Sequence, residues 1–92
     1  MLYTLSKAQY DNQELTALLA QLQPTDALLL WQDGVLQAVK NPQLFANRKN
    51  VFALAQDLQA RNLTAHLTDN VEQVMLAQAV KLTEDFYPQI AW

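Results

Sequence analysis

Ala27-Leu28-Leu29-Leu30-Trp31 is apolar at every position, with no polar residue marking a wet face. A strand reads this way when helices cover both of its faces, as for a central strand of a parallel sheet. Parallel neighbours cannot be joined by a hairpin and need a crossover, usually helical, so this stretch commits the chain to an α/β architecture.

The flanking sequence supplies the other parts. Upstream, Met1-Leu2-Tyr3-Thr4-Leu5 is a β-compatible run, and Leu15, Leu18, Leu19 and Leu22 recur at the spacing of one helical face. Asp11, three residues before Glu14, can accept from a first-turn amide while Glu14 reaches back, so a helix is expected from about Asn12. Pro24 disfavours helical geometry in the residue before it, which places the end at Gln23.

Downstream, Gln32-Asp33-Gly34 breaks the strand, and Val35, Leu36, Ala38 and Val39 suggest a short helix closed by Asn41-Pro42. Asp33 is the expected N-cap, and Gly34 is expected to supply a backbone angle that other residues resist. Val51-Phe52-Ala53-Leu54 gives a third strand, followed by a helix through Asp57, Leu58 and Arg61 in which Asn62 can take the left-handed C′ conformation. Residues 71–86 stay open at this level: Met75, Ala79, Leu82 and Phe86 fit a helical face, while Val71 to Val74 fits a short strand. Pro88 ends whatever precedes it, and Gln89-Ile90-Ala91-Trp92 reads as a terminal strand. The pattern predicts one domain over 1–92, an open and mostly parallel α/β sheet with right-handed crossovers, and no internal repeat or linker.

Composition limits the chemistry. The chain has 92 residues, enough for a single domain, with 51% hydrophobic and 16% charged residues, which suits a core rather than disorder. A net charge of −3 lacks the cationic field that direct nucleic-acid binding requires. The absence of cysteine removes disulfides, thiolate nucleophiles and cysteine–zinc sites, and points to a cytoplasmic protein. No apolar run reaches membrane-span length, and the first five residues are too short and uncharged for a signal peptide.

One glycine excludes both a Walker loop and a GxGxxG fingerprint, which need several to bring backbone amides to phosphates. Ser6 and His66 are the only serine and histidine, so a nucleophile–base pair would have to be these two, with Asp33 or Asp69 as orienter. A lone imidazole without a carboxylate cluster makes a poor metal site. Arg48-Lys49 reads as a solvated basic turn. Trp31 and Trp92 are large amphipathic side chains that serve either a core or an interface; for Trp92, at the final position, edge packing or partner contact is expected.

Asp26-Ala27-Leu28-Leu29-Leu30, Gln32-Asp33-Gly34-Val35, Val51-Phe52-Ala53-Leu54 with Asp57-Leu58 and Ala60-Arg61, and the closing Ala91-Trp92 form a succession that resembles the DsrH/TusB family over essentially the whole chain. Two departures bear on helix boundaries: Asn62 stands where the family glycine is expected, and residues 75–79 replace an Asp-Tyr-containing stretch. The resemblance implies a DsrE-like open α/β fold of about five strands, with a strand at Val71–Val74 and a helix at Leu76–Asp85. It also implies a subunit of a TusBCD-type heterohexamer, built as two heterotrimers with TusC-like and TusD-like partners. Such a complex passes persulfide sulfur from a TusA-like to a TusE-like carrier, towards 2-thiouridine at the tRNA wobble position.

In the related relay subunits the working cysteine lies near the end of the third strand, where a following helix N-terminus lowers the thiol pKa. Here the corresponding stretch is Ala53-Leu54-Ala55. The expected role is therefore that of an accessory, non-catalytic subunit with no cofactor. A DsrH-type subunit of a DsrEFH sulfur-oxidation complex is the nearer alternative, although that subunit often carries its own cysteine; a stand-alone Ser/His hydrolase is the remote one. Functional surfaces of open α/β sheets gather at the carboxyl ends of the strands, which makes Gln32, Asp33 and Gly34, together with Trp92, the candidate partner interface.

Overall fold

The structure is a computed structural model that describes residues 1–46, 48–67 and 70–92, with His66 described by its backbone alone. Five strands, β1 (Leu2–Leu5), β2 (Ala27–Leu30), β3 (Val51–Leu54), β4 (Val71–Val74) and β5 (Gln89–Ala91), form one sheet in the order β4-β3-β2-β1-β5. All four pairings are parallel. The helices are α1 (Asn12–Gln21), α2 (Val35–Lys40), α3 (Pro42–Phe45), α4 (Ala55–Ala60) and α5 (Leu76–Asp85). Residues 71–86 thus divide into a strand and a helix at the boundaries the family resemblance implies.

Register sorts the side chains into two cores. Leu5, Leu28, Leu30, Val51, Ala53 and Val71 point to one face and meet Leu15, Leu18 and Leu19 of α1, Val35 and Ala38 of α2, Phe45 of α3 and Leu58 of α4. Leu2, Ala27, Leu29, Leu54 and Val74 point to the other and meet Ala79 and Leu82 of α5, with Trp31, Phe52 and Phe86 packed alongside. The division follows from crossover handedness. The chain steps outward from β1 to β4, placing its first helices on one face, then returns past the whole sheet to β5, which puts α5 on the other. β2, with all four residues buried between these layers, is the central strand that its unbroken apolar run implies.

Local chemistry shifts several boundaries. Asp11 caps α1 by accepting from the Gln13 N–H at 2.9 Å, without a reciprocal Glu14 bond among the described residues. The helix stops at Gln21, not Gln23: Leu22 is already extended, and the Gln23 N–H donates to Asp26 Oδ2 at 2.9 Å across a turn centred on Pro24 and Thr25. β2 ends at Leu30, and Trp31 leads into a 3-10 turn over Gln32–Gly34. Asp33 does not cap α2; the N-cap is Gly34, without a side-chain bond. Asn41 does end α2, but Pro42 opens α3 rather than only closing what precedes it, since a first helical position needs no N–H. Asn62 takes φ 55°, the left-handed conformation expected of it after α4.

Candidate functional site

With every strand parallel, the five carboxyl ends line one edge of the sheet. Crevices open on that edge where neighbouring connections leave for opposite faces. In this topology the divergence falls between β3, whose connection enters α4 on the first face, and β4, whose connection enters α5 on the second. Ala55 opens α4 directly after β3 and is buried. Met75 and Leu76 stand at the start of α5 and are 60% and 58% exposed. The Met75 N–H is held by Gln78 Oε1 at 2.8 Å, so the helix caps itself. Ala55, Met75 and Leu76 bring no titratable or nucleophilic group to this point of divergence.

Gln32, Asp33 and Gly34 sit at the same edge, after β2. Gln32 adopts φ 51°, and its N–H donates to Asp57 Oδ2 of α4 at 2.6 Å. The Asp33 carboxylate accepts from Arg61 Nε at 3.1 Å and Nη2 at 2.7 Å, while Arg61 Nη1 lies 3.7 Å from Asp57 Oδ1. One guanidinium thereby ties the turn after β2 to α4. Gly34 is buried at an ordinary φ of −62°, so it is not there for its backbone freedom. A Cβ at this position would overlap the carbonyl oxygen of Leu5, and glycine is what lets the turn close over the end of β1.

Trp92 lies half-buried beside the first core. Its main-chain N–H donates to Thr4 O at 2.8 Å, and its main-chain carbonyl accepts from the Tyr10 hydroxyl at 2.9 Å. Trp31 packs against the second core, with its indole nitrogen buried and unpartnered among the described residues. Of the residues considered for hydrolysis, Ser6 has its backbone N–H on the Tyr10 hydroxyl at 3.1 Å. Asp69 and the His66 side chain fall outside the described residues. Among the described residues no group of carboxylates and imidazoles could hold a metal ion, and no helix is long and apolar enough to cross a membrane.

Sequence reasoning missed the outer surface of α5. Met75, assigned there to the buried face with Ala79, Leu82 and Phe86, instead projects into solvent. Leu76, Val80 and Tyr87 follow at 58%, 54% and 82% exposure. The signal was present in the spacing of four residues between Leu76 and Val80, which aligns them on one flank at 100° per residue, beside the flank that Ala79 and Leu82 bury; Tyr87 lies beyond the end of α5.

Comparison with known proteins gives a consistent result. Residues 7–89 match the family described as DsrH like protein. An uncharacterized protein of Haemophilus influenzae is 42% identical, with 99% of each chain covered. Proteins named Protein TusB from Sodalis glossinidius and Yersinia pestis are 40% and 36% identical, each covered in full along with this chain. With that match spanning both cores and the carboxyl edge, the chain belongs to the DsrH-like family and is a cysteine-free member of it.

Proposed function

We propose that this chain is an accessory subunit of a TusBCD-type sulfur relay complex, assembling with TusC-like and TusD-like subunits and serving 2-thiolation of the tRNA wobble uridine. The full-length similarity to proteins named Protein TusB carries the assignment to the complex, and the accessory role rests on the residues that follow β3 and β4. A relay subunit needs a thiolate at a helix N-terminus on this edge, where the macrodipole stabilises the anion. Here the positions are Ala55 and Met75-Leu76, in a chain without cysteine. Sulfur would then travel on a partner, received from a TusA-like carrier and passed to a TusE-like one, while this chain completes the assembly in the cytoplasm.

The exposed apolar flank of α5 supports an assembly role, because large exposed side chains in line are costly unless a partner covers them. Gln32, Asp33, Gly34 and Trp92 lie on the same sheet edge; Gln32, Asp33 and Trp92 are proposed to complete the contact surface, with the buried Gly34 shaping the turn that presents them. The test has two arms. Incubated with a cysteine desulfurase, cysteine and the upstream carrier, the chain gains no persulfide mass, whereas a TusD-like subunit does. Deleting the gene in its host lowers wobble-uridine thiolation; normal thiolation in a clean deletion refutes the assignment.

A further inference from the structure

A cavity of about 590 Å³ opens at the opposite end of the sheet, where the loop before β2, α3 and the loop before β3 converge. Its floor is the buried Leu28, and half-buried Leu22 and Leu44 flank it. Arg48 and Lys49 stand at its rim, and neither has a carboxylate partner among the described residues. The one carboxylate in the lining, Asp26, is already engaged: the Met1 ammonium lies 3.2 Å from Oδ1 and the Gln23 N–H donates to Oδ2 at 2.9 Å. Among the described residues the rim therefore presents two positive charges without a carboxylate partner, on a chain whose net charge is −3.

The walls are pinned before any ligand arrives. Asn50 Nδ2 donates to Pro24 O at 3.4 Å and Asp26 O at 3.5 Å, and Asn70 Nδ2 donates to the carbonyls of Phe45 and Arg48. Preorganisation of this kind lowers the ordering cost of binding. The volume falls in the range of ligand sites, but Lys49 is exposed and Leu22, Leu44 and Arg48 are only half-buried. Sites for free small molecules instead bury most of the ligand. An extended chain that continues past the rim fits better.

We propose that this cavity binds an acidic peptide segment, seating an apolar side chain on Leu22, Leu28 and Leu44 while flanking carboxylates meet Arg48 and Lys49. The site is independent of the sulfur-relay assignment and lies at the other end of the strands from the proposed partner surface. In this proposal Arg48-Lys49, read from sequence as a solvated basic turn, also has a ligand.

The test uses the full chain and the hexapeptide Glu-Leu-Glu-Glu-Leu-Glu carrying an amino-terminal fluorescein, followed by fluorescence polarisation and amide NMR shifts. Expected are saturable binding, shifts concentrated at Leu22, Leu28, Leu44 and Lys49, and at least tenfold weaker binding of the Gln-for-Glu peptide. The same tenfold loss is expected for the Arg48→Glu/Lys49→Glu double variant, and a smaller loss for Lys49→Gln, whose exposed side chain leaves folding intact should the double variant fail. A Ser-for-Leu peptide should bind weakly as well. Four outcomes overturn the proposal: no saturation at millimolar peptide, affinity unchanged by charge reversal, full competition by equimolar inorganic phosphate, or tighter binding of an octauridylate RNA.

Discussion

At Gly34 and Asp26, stability turns on the space and the charge around a single residue. Gly34 is the only glycine, and its role is the absence of a side chain against the Leu5 carbonyl rather than an unusual φ. The obstacle is backbone in β1 and cannot swing away, so Gly34→Ala should cost about 2–3 kcal/mol, the upper part of the range for overpacking. In a domain this size that lowers Tm by roughly 10–20 °C, measurable by circular dichroism. Asp26 makes a pH-dependent contribution. The Gln23 amide bond holds its carboxyl below the usual value of 3.8 despite some desolvation, with the Met1 ammonium adding to the effect. A carboxyl with a depressed folded pKa binds its proton more readily in the unfolded chain, so its stabilisation is full above 3.8 and fades as pH falls through the lower folded value. Asp26→Asn should therefore be less stable than the parent at pH 7, with the gap narrowing towards pH 3 in urea titrations.

Elements carry the next level, and α5 is the instructive one. Its Ala79 and Leu82 cover the second face of the sheet, while Leu76 and Val80 face outward and Tyr87 is exposed just past its end. Replacing Leu76 and Val80 by Ser should leave Tm within about 2 °C, because surface substitutions away from packed contacts usually change stability little. The same variant should lose co-elution with TusC-like and TusD-like subunits in size-exclusion chromatography; retained co-elution would show that α5 is not the contact surface. Strands β2 and β3 were legible from sequence because burial on both faces, complete in β2 and broken only by the half-buried Phe52 in β3, leaves an unbroken apolar signature in Ala27–Leu30 and Val51–Leu54. β4 was not, since Val71 and Val74 bracket the exposed Glu72 and Gln73 on an edge strand, a pattern periodicity cannot separate from a helix. The resemblance to a family settled it. Asp33 misled for a different reason: its position before a helix suits a cap, but a guanidinium 28 residues away outcompetes the local amides, and sequence spacing carries no trace of such a pairing.

At the scale of the whole molecule, a short chain divides its apolar residues between two cores, with four helices on one face and a single helix on the other. A domain of this length buries a modest fraction of its surface, so stability gained from partners matters more than in a larger one. The proposed edge surface then makes a separable prediction for Asp33 and Trp92. The Asp33 carboxylate is 55% exposed, and a surface ion pair of that kind contributes little, so Asp33→Ala should reduce stability by less than about 1 kcal/mol. Trp92 packs its indole on the first core, so Trp92→Ala should lower Tm even for the isolated chain, although the main-chain bonds to Thr4 and Tyr10 remain available to alanine. If these side chains also meet a partner, each variant should weaken assembly beyond its stability loss, for Trp92 by about 2 kcal/mol or more, as buried aromatic anchors do. Melting curves and partner titrations on the same preparations give both quantities. Losses of binding that merely track losses of stability would assign both residues to the fold and remove them from the interface.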